Sequence, residues 1–119
     1  MKAHGSLKLT WKQNTLYAEA FGPFNEEGVK DAAKQYLYEL ENSPSSKFSV
    51  IEIWDEDSLT SPEAMVNVGR LWEALANFGC VSFALVTCNR LQESVAKPYL
   101  PPIGKIFNDL QGAEHWVTP

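Results

Sequence analysis

The chain has 119 residues, of which 45% are hydrophobic and 12% aromatic, and these values predict one domain, residues 1–119, with its own core. Ten basic against fifteen acidic residues leave a net charge of −5 without a basic cluster, which argues against nucleic acid and anionic membranes as partners. No stretch approaches the ~20 apolar residues of a membrane span, and the N-terminus lacks a secretory-type apolar segment, so we expect a cytoplasmic protein.

The first part of the chain predicts a β-hairpin followed by a helix. Residues 7–11 and 16–20 alternate apolar and polar side chains, and Lys12–Asn14 between them suits a tight turn. Asn25, followed by two glutamates, is typical of a helix start. We therefore expect the first helix to begin at Asn25 and to pack one apolar face on the sheet. That face consists of Val29, Ala32, Ala33, Tyr36, Leu37 and Leu40.

The centre of the chain predicts a buried strand, a polar loop and a capped helix. Phe48–Trp54 is short, apolar and rich in β-branched residues, which favours a strand. After the polar loop 55–60, Ser61 is a typical N-cap and Pro62 is typical of the first helical position. We expect the helix to end at Gly79 and a second interior strand to follow. The apolar face of this helix consists of Met65, Val68, Leu71, Trp72, Leu75, Ala76 and Phe78.

The last third of the chain has a weaker pattern. It predicts a strand at 81–87, a short helix from Arg90 to Lys97, a second short helix at about 103–110 and an edge strand at 115–117. Alternating strands and helices imply parallel pairing, with the hairpin adding antiparallel strands. The predicted fold is α/β, a mixed sheet of about four to five strands with about three to four helices.

The order of elements and the central segment together resemble the STAS domain of bacterial anti-sigma-factor antagonists, the SpoIIAA-like family. In that family a hydrophobic strand is followed by a short loop and then by an Asp-Ser-Ser-Gly motif, which opens a helix that ends in glycine. Here the strand through Trp54, the loop 55–60, the segment Ser61–Ala64 and the helix to Gly79 fall in those places. The resemblance implies a STAS-like fold, no enzymatic activity and regulation through a protein partner.

The resemblance also implies where a partner would bind. The family's switch is phosphorylation of the second serine of the motif, and this chain has Glu63 at that place, with Ser61 and Pro62 at the two places before it. The implied surface therefore lacks the classical phosphoserine switch, since a glutamate has less charge and fewer acceptor oxygens than phosphoserine. Alternatively, Glu63 only stabilises the start of the helix. The residues of the implied partner-binding loop are Asp55, Asp57, Ser58, Thr60, Ser61 and Glu63.

The loop 55–60 follows a predicted parallel strand, where open α/β sheets place their ligand sites. It does not fit a calcium loop, because Thr60 and Val66 stand where glycine and glutamate are needed. It does not fit a phosphoacceptor site either, because Trp11–Asn14 lacks the acidic pair that holds magnesium. A plain solvated loop is an open alternative. We expect no metal and no cofactor, since the glycines form no nucleotide-binding motif.

We expect no catalytic residues, because no nucleophile is paired with a base and the histidines, His4 and His115, lie near the two chain ends.

A second hypothesis is that the protein carries or senses a small hydrophobic, lipid-like ligand, an activity with which STAS-like folds have also been associated. Alternatively, the apolar loop at 99–103 packs as a lid over the sheet edge. The oligomeric state is open, a dimer included. The residues that motivate the ligand hypothesis are Trp72, Tyr99, Leu100, Ile103 and Phe107.

Overall fold

The computed structural model describes residues 2–117, and in this range the chain forms one five-stranded sheet and four α-helices. The strands are β1 (Ser6–Lys12), β2 (Thr15–Phe21), β3 (Phe48–Trp54), β4 (Cys80–Val86) and β5 (Gly104–Phe107). The helices are α1 (Glu26–Glu41), α2 (Pro62–Ala74), α3 (Arg90–Ala96) and α4 (Leu110–Val117). The predicted α/β class is confirmed.

The strands lie in the sheet in the order β1-β2-β3-β4-β5, which is also their order in the chain. β1 and β2 form the predicted antiparallel hairpin, and Gln13 in its turn has a φ of 54°. The pairs β2–β3, β3–β4 and β4–β5 are all parallel, and a helix lies in each connection between them. The predicted mixed sheet is therefore confirmed, and β1 and β5 are its edges.

The two faces of the sheet are covered by different helices. Because side chains alternate along a strand, Val50, Glu52 and Trp54 of β3 face α1 and α2, whereas Ile51 and Ile53 face α4. The larger core lies on the first of these faces. The buried helix residues in that core are Tyr36, Leu40, Met65, Trp72 and Ala96, and those on the α4 face are Ala113 and Val117.

Helices α1 and α2 begin as the sequence predicts. The Asn25 side chain accepts a hydrogen bond from the Gly28 N–H at 2.8 Å, and the Ser61 hydroxyl accepts one from the Ala64 N–H at 3.2 Å. The end of α2 differs from the expectation of a continuous helix to Gly79. The α-helix ends at Ala74 and continues as a 3₁₀ turn over 75–78, which rotates Ala76 into solvent. Gly79 still ends the segment, with a φ of 108°.

Two of the predictions for the C-terminal part of the chain are wrong. The helix expected at 103–110 is wrong, because Gly104–Phe107 is strand β5, and the edge strand expected at 115–117 is wrong, because these residues belong to α4. The Asp109 side chain accepts a hydrogen bond from the Gly112 N–H at 2.6 Å, and this contact starts a helix where the sequence indicated an end. The helix predicted from Arg90 is confirmed as α3, followed by a 3₁₀ turn at 97–99.

Candidate functional site

Asp55 and Ser58 hold the loop between β3 and α2 against the end of β2 and the start of the connection to α1. One carboxylate oxygen of Asp55 accepts hydrogen bonds from the N–H groups of Gly22 and Asp57, each at 3.1 Å, and from the Ser58 hydroxyl at 2.7 Å. Ser58 is only 3% exposed, and its hydroxyl also lies 3.0 Å from the carbonyl oxygen of Ala20. These two side chains therefore build the loop itself.

The same contacts set the charge of Asp55. Partial burial acts to raise the pKa of Asp55, but hydrogen bonds from Ser58 and from the N–H groups of Gly22 and Asp57 outweigh it and hold the pKa below its ordinary value. A lowered pKa in the folded state means that Asp55 contributes stability near neutral pH. This contribution is lost as the pH falls through the lowered pKa.

Gln92 joins the ends of the two central strands. It is fully buried in the first turn of α3, where its Nε2 donates to the backbone oxygen of Asp55 at 2.7 Å. Its Oε1 accepts from the N–H of Cys88 at 2.8 Å. Gln92 does not stand out in the sequence, because a glutamine near a helix start has the same pattern as an ordinary surface residue. It fixes the β3–α2 loop relative to the loop after β4.

The predicted partner-binding loop divides into an inner and an outer part. Asp57 and Glu63 are exposed, as is the neighbouring Glu56. Ser61 is partly buried and caps α2, and Glu63 lies in the first turn of that helix. We call Glu56, Asp57 and Glu63 the acidic edge. The structure thus brings the predicted residues together, but only part of them reach solvent.

A cavity of about 70 Å³ lies beneath this loop, between α1, α2 and the sheet. It is partly open to solvent, and most of its wall is apolar. Phe24 and Val29 line it from the side of α1, Met65 and Leu71 line it from α2, and Leu59 lines it from the loop. The cavity is therefore a pocket in the face of the sheet that carries the larger core.

Glu52, in the middle of β3, lines this cavity and is 5% exposed. Its Oε1 accepts hydrogen bonds from the Tyr36 hydroxyl at 3.0 Å and from the Trp72 indole N–H at 3.1 Å. Its Oε2 accepts from the Trp54 indole N–H at 2.7 Å. Three neutral donors from two helices and the sheet therefore converge on one buried carboxyl group.

The proton affinities in this cluster follow from burial. Burial raises the pKa of Glu52 above its ordinary value, although the hydrogen bonds from Trp54, Trp72 and Tyr36 act in the opposite direction. Burial, and then the charge of Glu52, also raise the pKa of Tyr36, so the phenol keeps its proton and donates a hydrogen bond to Glu52. Within residues 2–117, no lysine, arginine or histidine forms an ion pair with Glu52.

Thr60 adds an unpaired polar group to the cavity. It lines the pocket, and its hydroxyl oxygen is buried without a hydrogen-bond partner among the described residues. Buried polar atoms are normally paired, so an unpaired hydroxyl in a cavity wall indicates room for a polar atom of a ligand or water. Ser58 and Thr60 are thus the members of the predicted loop that line the cavity, and Thr60 is the one whose hydroxyl is unpaired among the described residues.

Glu52 is the main residue that the sequence analysis missed. A signal was available, because Glu52 is the one charged residue within the apolar run Phe48–Trp54, at an alternation that places it beside Val50 and Trp54. A strand buried on both faces seldom contains a carboxylate without a partner. The sequence does not reveal that Tyr36 and Trp72 would supply that contact, because both are distant in the chain.

The residues of the hydrophobic-ligand hypothesis lie in different places. Trp72 is fully buried and lines the cavity. Tyr99 is half-buried and packs against Gly69 on α2, while Leu100 and Ile103 pack against the edge of the larger core. Phe107 lies on the opposite face of the sheet, with its ring centroid 5.5 Å from that of Trp116. The structure therefore joins Trp72 to the cavity and separates the other four from it.

The described part of the chain provides neither a metal-binding cluster nor a membrane-spanning helix. Residues 2–117 contain no group of three or more histidine, cysteine, aspartate or glutamate side chains that could hold a metal ion. Over the same residues, no helix combines the length and apolar character needed to cross a membrane. Cys80 and Cys88 are both free thiols, the first buried and the second exposed.

Comparison with solved structures shows that the chain has a SpoIIAA-like fold. An uncharacterised DUF3478-family protein from Shewanella loihica PV-4, described as having a SpoIIAA-like fold, matches with a TM-score of 0.64 and 18% identity, over 98% of this chain and 96% of that one. The Bacillus cell fate determinant SpoIIAA, in its phosphorylated form, matches with a TM-score of 0.57 and 15% identity, over 93% and 99%. No protein-family model and no curated protein matches the sequence. The STAS-like fold implied by the sequence is confirmed.

Proposed function

We propose that the protein is a cytoplasmic, non-enzymatic regulatory module that binds a protein partner through the acidic edge. The observation that supports this most is the position of the acidic edge, Glu56, Asp57 and Glu63, at the carboxyl end of β3 in a SpoIIAA-like fold. The loop that carries it is anchored by Asp55 and Ser58. A surface that is already ordered loses less entropy when a partner binds.

The charge of this surface indicates the chemistry of the partner. Three exposed carboxylates in a chain of net charge −5 favour a partner with a basic patch, since complementary potentials speed association and exclude wrong partners. The proposed partner binding does not use the classical phosphoserine switch. Glu63 has no hydroxyl, the Ser58 hydroxyl is buried in the loop, and the Ser61 hydroxyl caps α2.

The proposal is tested by photo-crosslinking in cells of the source organism. A photoreactive phenylalanine analogue is placed at Asp57 on the acidic edge, and a matched control carries it at Val81, which is 55% exposed at the amino end of β4. We expect one discrete protein adduct from position 57, suppressed by excess unlabelled protein, and no such adduct from position 81. Equal adducts from both positions, or none from position 57, would contradict partner binding at the acidic edge.

The cavity favours a second function, the binding of a small apolar ligand. It has an apolar wall, is partly open, and is lined by Trp72. Native mass spectrometry of protein purified from its own host should show a bound small molecule that is lost on denaturation. A measured mass equal to that of the bare chain would remove the support for this second function. Ligand binding in the cavity and partner binding at the acidic edge involve different surfaces and are tested separately.

A further inference from the structure

We infer that the cavity binds a small organic amine, with the carboxylate of Glu52 as its counter-charge and the neighbouring aromatic rings around its ammonium group. This inference rests on ligand binding in the cavity, the second function above, but it gives the apolar ligand a charged amine end, and it does not depend on partner binding at the acidic edge. It rests on four features of the cavity: a buried carboxylate without a cation, an unpaired hydroxyl, aromatic walls and limited volume.

The first feature is an incomplete charge balance. A buried carboxyl group is normally kept neutral by a proton or paired with a cation or a metal, because desolvation of the bare charge in an apolar site is costly. Glu52 has no such partner within residues 2–117. Tyr36, Trp54 and Trp72 orient its oxygens, but each of them is neutral and none can cancel the charge. A cation that enters the cavity would supply the positive charge that no described residue places beside Glu52.

The second feature is unused hydrogen-bonding capacity. Each carboxylate oxygen can accept about two hydrogen bonds, and among the described residues Oε2 of Glu52 accepts one, from Trp54. The Thr60 hydroxyl oxygen in the same cavity accepts none. A protonated primary amine carries three N–H donors and no acceptor, which matches a site that offers two acceptors. A metal ion would instead need several oxygen ligands, and the described residues supply no such group.

The third and fourth features are the walls and the size. The rings of Trp54 and Trp72 have centroids 6.1 Å apart, and together with Tyr36 and Phe24 they line the cavity. Aromatic faces attract ammonium groups electrostatically, most strongly when water is excluded. A volume of about 70 Å³ is roughly half that of a cavity that holds benzene, so it encloses only a few heavy atoms. The ligand is therefore a short alkylamine, or the amine end of a longer molecule that extends through the opening.

The inference is tested by nuclear magnetic resonance on the whole chain labelled with ¹⁵N. Trp54 and Trp72 donate their indole N–H groups to Glu52, whereas Trp11 donates to Glu39 and Trp116 packs on Phe107, so two tryptophans report on the cavity and two are internal controls. The probes are n-butylamine, its neutral analogue 1-butanol and the anion butyrate, each titrated at neutral pH. We expect n-butylamine to shift the Trp54 and Trp72 indole signals saturably and to bind at least about tenfold more tightly than 1-butanol, because charge-assisted hydrogen bonds are the stronger kind.

The variant Glu52→Gln removes the charge while it keeps one acceptor oxygen. We expect it to weaken n-butylamine binding at least about tenfold and to weaken 1-butanol binding by a smaller factor, because the alcohol can lose a hydrogen bond to the carboxylate but no ion pair. If this variant does not fold, the comparison of the three probes on the parent protein tests the inference by itself. Thr60→Val removes the second acceptor at nearly constant shape, and we expect this variant also to bind n-butylamine more weakly. Equal binding of n-butylamine and 1-butanol would reduce the site to a plain apolar pocket, and no saturable shift with any probe would overturn ligand binding there.

Discussion

Replacing Trp72 with alanine should lower the free energy of unfolding by about 3–5 kcal/mol. Trp72 is fully buried in the last turn of α2, with its ring centroid 5.2 Å from that of Phe83 and 6.1 Å from that of Trp54. Truncation would leave a large cavity and would remove the indole N–H that donates to Glu52. Both effects act in the same direction, because the carboxylate then lacks one of its three donors.

The measurement is the denaturant midpoint and slope of this variant against the parent. Val66→Ala is the matched control, because Val66 lies on the same helix but is 41% exposed, and we expect it to change stability by about 0.5 kcal/mol or less. Trp72→Phe keeps most of the volume and isolates the loss of the donor, which should cost about 1–3 kcal/mol. A Trp72→Ala midpoint equal to that of the parent would contradict the packing of α2 on the sheet.

Acidification should stabilise the parent protein relative to the Glu52→Gln variant. Burial raises the pKa of Glu52 in the folded state, so between its ordinary value of 4.5 and the raised value the folded state binds more protons than the unfolded state. The contribution of Glu52 to stability is therefore most favourable at low pH and falls as the pH rises through this window. The slope can reach about 1.4 kcal/mol per pH unit.

In the difference in stability between the parent and Glu52→Gln, the titration of the other carboxylates, including Asp55, cancels because both proteins share them. Unfolding of the two proteins should be measured at a series of pH values from 4 to 8, at constant ionic strength. We expect the parent to lose stability relative to the variant as the pH rises. A difference that is constant with pH would mean that the donors Tyr36, Trp54 and Trp72 balance the desolvation of Glu52, and one that grows in favour of the parent as the pH rises would mean that they outweigh it.

The fold could be predicted well where local signals agree with one another. The N-caps Asn25 and Ser61, Pro62 at the first helical position and Gly79 at the end of its segment each have a local physical cause, and the structure confirms them. The prediction failed in the last third because its signals are short. Gly104–Phe107 has only four residues, and its pairing with β4 is a tertiary contact that no local pattern reports.

The candidate site could be predicted only in part, for a related reason. The loop 55–60 follows from the sequence because it lies between two recognisable elements. Its division into inner and outer side chains does not follow, since it depends on the contacts of Asp55 with Gly22 after β2 and of Ser58 with Ala20 near the end of β2. The cavity depends on α1 and α2 meeting over Glu52, which only the folded chain shows.

Partner binding through the acidic edge is tested most directly by the affinity of the crosslinked partner, once purified, for three forms of the protein. These are the parent, Glu63→Gln, and the control Glu73→Gln, which changes an exposed carboxylate at the far end of α2. Loss of the Glu63 charge should change the stability of the helix start by at most about 1 kcal/mol.

We expect Glu63→Gln to weaken partner binding by clearly more than this stability effect, with the unfolding midpoint nearly unchanged, and Glu73→Gln to bind as the parent does. Equal affinities for all three forms would contradict recognition through Glu63 and would leave it as a residue that only stabilises the start of α2.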